Sequence, residues 1–268
     1  MNLLAPKSET WLHRVNPAIK LVVFIILLLV ALLNRQLDFA LYQLVLYTLL
    51  LFLCSGHSKT KLLLLTLPFL FLFVSTASTM ILFGKGEHVW WSWGLIRISE
   101  ESFYRGLVIG VKTLCFGMLG LTFAFTTKPI LLFYALMQQF RLPPQYAYSF
   151  IASLRLLPAI WEDYRTRSHA LQIRGVRYKS GWRGIFERLH TYALPLLAQS
   201  IRRAQRVAVA MEAKRFQMNK SRTYFYITRY HSIDLAFVLL VFTLVTAIFC
   251  YRFVFLYFTW SIEHVISG

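Results

Sequence analysis

The chain has 268 residues, 57% of them hydrophobic and only 15% charged, with a mean hydropathy of +0.56. Soluble domains carry about a quarter charged residues, so this composition excludes an ordinary soluble domain and points to the bilayer. The 29 Lys and Arg against 11 Asp and Glu, a formal net charge of +18, would suggest nucleic acid for a soluble protein; beside long apolar runs they mark a basic cytoplasmic surface, and no nucleic-acid partner is expected.

In chain order, Glu9, Trp11 and His13 separate Met1 from the first apolar run, so the start does not read as a cleavable signal. A spanning helix needs about 20 mostly apolar residues. Four segments of roughly that length follow: Ala18–Leu33, Leu37–Cys54, Leu62–Phe83 with Pro68 inside, and Gly106–Thr126. A fifth runs from Ile233 to about Trp260. The fourth carries Lys112, which must face protein, snorkel or reach water, because a bare cation in lipid is costly. Arg252 in the last segment raises the same question more weakly, since it could sit near an interface.

The connecting loops orient these spans. Lys7, Arg14 and Lys20 against Glu9 precede the first, and Lys59 and Lys61 stand without an acid between the second and third. The Asn34–Leu37 turn offers Arg35 balanced by Asp38, and Gly84–Arg105 carries three cations against Glu87, Glu100 and Glu101. The excess of cations on inner loops predicts a cytoplasmic N-terminus and an outer C-terminus in a multi-pass bacterial or archaeal plasma-membrane protein. Trp90, Trp91 and Trp93 then form an aromatic belt at the outer interface.

Thr127–His231 holds 18 of the 29 cations but four acids, Glu162, Asp163, Glu187 and Glu212. Its apolar periodicity predicts three amphipathic helices: Pro129–Phe140, about Gln145–Arg174 and about Leu189–Phe216. In the last, Leu194, Leu197, Ala198, Ile201, Ala204, Ala208 and Met211 recur at steps of three and four, with Arg202, Arg203 and Arg206 on the other face. Its alanines would let another helix cross closely. The expected fold class is an all-α integral membrane protein of about five transmembrane helices, with a cytoplasmic domain of three amphipathic helices between the fourth and fifth. The divisions are 1–126, 127–231 and 232–268.

Other chemistry is sparse. Cys54, Cys115 and Cys250 lie far apart and read as small buried hydrophobes rather than a metal or redox site. The absence of a GxxxxGK[ST] stretch argues against an ATPase. Glu162 and Asp163, surrounded by Arg155, Arg165 and Arg167, read as local ion pairing rather than acid–base catalysis. His169 and His190 lack metal-ligand neighbours. Neither a cofactor nor a metal is therefore expected in the chain itself.

Each long basic helix closes in a similar phrase: Ala170-Leu-Gln-Ile173-Arg174-Gly175 and Ala210-Met-Glu212-Ala213-Lys214-Arg215-Phe216. Taken alone, the first is a helix C-cap, with a cation at the negative helix end and Gly in the left-handed turn. Two such ends on one basic domain suit docking into acidic grooves of a partner.

At these phrases the sequence resembles the T component of energy-coupling-factor importers, the EcfT/CbiQ family. The opening Trp11-Leu-His-Arg14-Val-Asn-Pro17-Ala-Ile-Lys20-Leu21 is similar to that family's Leu-His-Arg-Leu-Asp-Pro-Arg-Thr-Lys-Leu. Arg155-Leu-Leu-Pro158 leading to Ile173-Arg174-Gly175 resembles its first signature. Ala210-Met-Glu212-Ala213 matches its second, usually Ala-Met-Glu-Ala-Arg-Gly, and then departs to Lys214-Arg215.

The resemblance implies a non-catalytic coupling subunit that joins two ABC-type ATPases, which carry ATP and Mg, to a membrane S component that captures a vitamin, vitamin precursor or metal ion. It implies that Ile173, Arg174 and Gly175 engage one ATPase and Ala213, Lys214 and Arg215 the other. Arg14, Pro17, Lys20, Arg155, Pro158, Ala170 and Glu212 would support them. Arg14, Pro17 and Lys20 also have a plain account, with Pro at a helix start and cations as inner anchors. The lost glycine implies that the second helix need not stop sharply and that Arg215 extends it. It also suggests two unlike ATPases, as a heterodimer or fused tandem. The alternatives are a membrane enzyme acting on phospholipid or isoprenoid head groups, and a stand-alone permease whose best support is Lys112.

Overall fold

The computed structural model describes residues 10–84, 86–93, 96–176, 181–216, 224, 226–228 and 230–247. These form two compact units: the first runs to Leu132 and resumes at Thr228, and the second is Phe133–Ile227. Arg252, Cys250 and the last span beyond Ala247 lie outside the described residues.

The first unit begins with a short helix α1 (Trp11–Arg14), then α2 (Pro17–Leu33), α3 (Leu37–Cys54) and α4 (Lys59–Phe83). A hairpin of β1 (Val89–Trp93) and β2 (Ile96–Ser99) leads into α5 (Glu100–Thr126), and α9 (Ser232–Ala247) rejoins the unit late in the chain. Three of these helices, α3, α4 and α5, are long and apolar enough to cross a bilayer; α2 and α9 are shorter apolar helices. At about 1.5 Å per residue, α4 and α5 exceed the ~30 Å hydrocarbon thickness. Architecture is thus α-helical, with one departure from an all-α reading. The hairpin pairs antiparallel, with Trp91 opposite Ile98 and Trp93 opposite Ile96. Aromatic residues before Gly94 and the alternation of Ile96 and Ile98 with polar residues after it carry that signal.

Local chemistry sets the helix starts. Asn16 caps α2, its side chain accepting from the Ala18 N–H at 3.0 Å, and Pro17 occupies the first helical position, where its missing N–H costs nothing. Ser99 and Ser102 satisfy one another reciprocally at the start of α5, which therefore begins before the apolar run at Gly106. Ser58 precedes α4, which begins at Lys59 without a side-chain cap hydrogen bond.

Packing of α4 on α5 depends on missing side chains. A Cβ on Gly110 would lie 2.8 Å from the Phe73 ring, and one on Gly117 would fall inside van der Waals contact with the Phe69 ring. Between helices that share a lipid solvent, such close approach replaces the hydrophobic effect as the source of cohesion. The core adds Phe24, Leu27, Tyr47, Leu51, Leu119 and Phe237. Cys54 and Cys115 are buried free thiols.

The two lysines inside α2 and α5 perform reciprocal work. Lys20, only 1% exposed, donates from Nζ to the Thr126 carbonyl at 2.9 Å, at the C-terminus of α5. Lys112 donates to the Leu32 carbonyl at 2.8 Å, at the C-terminus of α2. Each antiparallel helix thus supplies a cation to the other's carbonyl end, where orphan acceptors and the negative dipole end coincide. Lys112 caps a helix, a structural use that accounts for a cation in this segment without a substrate path. Asp234 joins the ends of the chain: one oxygen accepts from the Asn16 N–H at 2.7 Å and the other from the His231 N–H at 2.8 Å. It is 3% exposed.

The second unit holds most of α6 (Pro129–Gln139), then α7 (Pro144–Ile173) and α8 (Trp182–Ala213). The α8 helix begins before the expected Leu189, after Gly181 at φ +87°. Three contacts set the direction of the α7–α8 pair. Tyr148 meets Phe216 (ring centroids 5.8 Å), Asp163 pairs with Arg203 at 3.1 Å, and Arg167 Nε donates to the Thr191 carbonyl at 3.0 Å. Residue numbers rise on one helix as they fall on the other, so the helices run antiparallel. Asp163 therefore pairs across helices, correcting the expected local pairing with Arg155, Arg165 or Arg167. Arg167 is spent on the Thr191 carbonyl, which leaves Arg203 on the packed neighbour as the cation within reach of Asp163.

Candidate functional site

The two cationic phrases end α7 and α8, and their backbones close identically. At the first, the N–H groups of Arg174, Gly175 and Val176 reach the carbonyls of Ala170, Gln172 and Leu171. At the second, those of Lys214, Arg215 and Phe216 reach Ala210, Glu212 and Met211. Both are Schellman closures, with the left-handed residue just past the cap and an apolar residue after it. Gly175 sits at φ +67° and Arg215 at φ +52°. The expectation that Arg215 prolongs its helix is thereby corrected. The helix stops as sharply with arginine as with glycine, because Phe216 tucks back against Tyr148 and the two carbonyls still need donors.

The structure does not bring the two ends together. In the antiparallel pair, Lys214 and Arg215 lie beside the Tyr148 end of α7, while Arg174 lies past its far end. The span from Tyr148 to Arg174 is roughly 40 Å at helical rise. Ile173, Arg174, Gly175, Glu212, Ala213, Lys214 and Arg215 are all exposed, and Ile173 is 87% exposed.

The ends differ in what surrounds them. At the first, nothing among the described residues lies within 4 Å of a Cβ on Gly175, while Arg174 lines a cavity of about 290 Å³ with Thr166, Arg167 and Gln199. The second is buttressed by rings: Tyr134 packs on Tyr148 and on Tyr226, and Gln138 donates to the Tyr226 carbonyl at 2.6 Å. A cleft of about 780 Å³ opens beside it, lined by residues that include Tyr148, Arg155, Ala208, Met211 and Phe216.

The supporting residues fall in separate places. Arg155 and Pro158 are exposed on α7, Arg155 facing that cleft, and Ala170 is exposed one turn before Arg174. Arg14 is exposed at the end of α1, Pro17 starts α2, and Lys20 is buried as the α5 cap. Lys20 is thus not an interfacial anchor in the plain sense expected of it.

Compared with known proteins, the chain matches the CbiQ family model, described as cobalt transport protein, over residues 8–225. It belongs to the EcfT/CbiQ family. The matched stretch contains the opening phrase and both helix ends. Relatives named energy-coupling factor transporter transmembrane protein EcfT occur in Lacticaseibacillus paracasei, 27% identical over 238 residues (85% of this chain, 89% of the relative), and Listeria innocua, 28% over 243 residues (85% and 88%). The one in Limosilactobacillus fermentum is 30% identical over 166 residues, 58% of this chain and 61% of that protein.

Sequence reasoning missed two residues that position this family member's parts. Asp234 ties α9 to the Asn16 backbone, and Arg203 ties α8 to α7. Asp234 had a local signal, an acid three residues after His231 at a helix start. Arg203 had none beyond lying on a basic face.

Proposed function

We propose that this chain is the transmembrane coupling component of an energy-coupling-factor importer. It would pass movement from two cytoplasmic ABC-type ATPases, holding ATP and Mg, to a membrane-embedded capture subunit for a vitamin, vitamin precursor or metal ion. The names of the relatives support the transporter class. The observation that carries the coupling role is the pair of identical helix closures, each ending in exposed cations, at opposite ends of an antiparallel helix pair. One partner domain contacting both ends would have to bridge roughly 40 Å; two partners, one per end, suit the spacing. Arg174 offers a bidentate guanidinium to a carboxylate, with Ile173 and Gly175 beside it, and Lys214 and Arg215 offer two cations flanked by Ala213. The cationic inner loops favour a multi-pass chain of five spans, with a cytoplasmic N-terminus, an outer C-terminus and this unit in the cytoplasm.

The test is co-purification with the two ATPases and uptake in reconstituted vesicles. Arg174→Glu is expected to release one ATPase and Lys214→Glu with Arg215→Glu the other, while Lys214→Arg is tolerated. If these cations serve only as helix caps, each reversal costs about 1 kcal/mol or less and assembly persists. Full assembly and uptake with both ends reversed would overturn the reading.

A further inference from the structure

A second cationic site lies in the first unit, at the end of the spans that carries the β-hairpin. There α2 stops at Leu33, α3 starts at Leu37 and α5 passes close by, with the Tyr104 hydroxyl accepting from the Leu37 N–H at 2.9 Å. A cleft of about 480 Å³ opens at this junction, lined by Arg35, Tyr104, Arg105, Val108, Ile109 and Lys112. Arg105, Val108, Ile109 and Lys112 follow the three- and four-residue steps of one helix face. Three cations thus converge on one hollow whose other lining is aromatic and aliphatic.

The charges are left over from the fold's own needs. Lys112 uses one of its three N–H donors on the Leu32 carbonyl and has two left. Arg35 and Arg105 have no hydrogen bond or ion pair among the described residues. The nearby acids do not neutralise them. Glu101 is turned to the hairpin, accepting from the His88 N–H at 3.4 Å, and Asp38 makes no ion pair with them. Because the Tyr104 oxygen accepts from Leu37, its own O–H remains free to donate into the cleft.

The depth of the site identifies its occupant. The Lys112 ammonium stands level with the last turn of an apolar helix, where hydrocarbon gives way to head groups. Trp90 and Trp91, 63% and 54% exposed on the adjoining hairpin, mark the interface at the outer mouth of the cleft: Trp90 packs on Phe103, two residues before Arg105 and about 13 Å along α5 from Lys112. Trp93 is described there in its backbone only. We infer that the cleft binds the phosphodiester head group of an anionic phospholipid, with Arg35 and Arg105 on the phosphate oxygens, Tyr104 as a further donor and the acyl chain along Val108 and Ile109. Arginine suits phosphate through its paired donors, and basic pockets between spanning helices hold lipid head groups by the same means.

The full-length chain, purified in detergent, is titrated with phosphatidylglycerol and with phosphatidylcholine, and bound lipid is counted by native mass spectrometry. Binding is read without transport, so the result stands apart from the importer reading. Phosphatidylglycerol is expected to bind more tightly than phosphatidylcholine. At about a factor of five per interfacial charge, Arg105→Gln should weaken it about fivefold and Arg35→Gln with Arg105→Gln about thirtyfold. Arg35→Lys with Arg105→Lys should bind between the wild type and the double Gln variant, since it keeps the charge and loses the paired donors. Lys112 is left intact because it caps α2. Equal binding of both lipids, or unchanged affinity in the double Gln variant, would overturn the proposal. So would displacement of the lipid by millimolar inorganic phosphate, which would indicate a soluble-anion site. A photoreactive residue at position 109 should cross-link to lipid in the assembled transporter; cross-linking to protein instead would make this a subunit interface and sink the lipid assignment.

Discussion

Arg215 occupies a conformation that L-residues adopt at a cost of roughly 1–2 kcal/mol, and it does so where its counterpart Gly175 adopts it freely. The helix end tolerates this because the closure satisfies two carbonyls and lets Phe216 pack on Tyr148. Arg215→Gly should therefore stabilise the chain by about 0.5–1 kcal/mol while removing a cation from the exposed end. The reverse exchange at the other end, Gly175→Ala, meets no atoms but still pays the left-handed strain, so it should destabilise by about 1 kcal/mol. Thermal unfolding of the detergent-solubilised variants checks both signs. Opposite signs at the two ends are expected; equal signs would mean that the closures are not equivalent in solution.

At the scale of elements, the α4–α5 seam is the contact most sensitive to volume. Gly110 faces Phe73 and Ala77 so closely that even a methyl must displace them, whereas Gly120 on the same helix faces open space. Gly110→Leu should destabilise by about 1–3 kcal/mol or prevent packing altogether, and Gly120→Leu should be tolerated. The measurement is the fraction of chain that stays monodisperse on heating. Equal loss at both positions would argue that α5 is generally intolerant and the seam has no special role. The α7–α8 pair is held differently. Asp163 and Arg203 are partly exposed, so their bridge contributes direction and register more than stability, with a coupling of at most about 1 kcal/mol.

For the whole molecule, charge and length fix an expected topology that accessibility can read. With Cys54, Cys115 and Cys250 replaced, Glu87→Cys on the hairpin side should react with an impermeant thiol reagent on intact cells. Thr60→Cys, between Ser58 and Lys61 at the other end of α4, should react only after permeabilisation. Reversal of that pattern would put the basic second unit outside and remove its access to ATP-dependent partners.

Sequence alone determined the apolar spans, the basic unit inserted before the last of them, Pro17 at a helix start and the cationic closure of α7. Each of these is a local property: a run of about 20 apolar residues, a step of three or four, a cap residue next to its own helix. Tertiary structure decided what the isolated charges do. Lys112 read as an anomaly in an apolar segment and Lys20 as an inner anchor until the antiparallel packing of α2 and α5 places each against the other's carbonyl end. Arg215 read as an extension of its helix until the ring of Tyr148 gave Phe216 somewhere to turn. Arg35 looked balanced by Asp38 until the meeting of three helices set it beside Arg105 and Lys112. The physical reason is the same in each case. An orphan donor or acceptor must be satisfied in three dimensions, and its partner is chosen by proximity after packing, which no periodicity along the chain encodes.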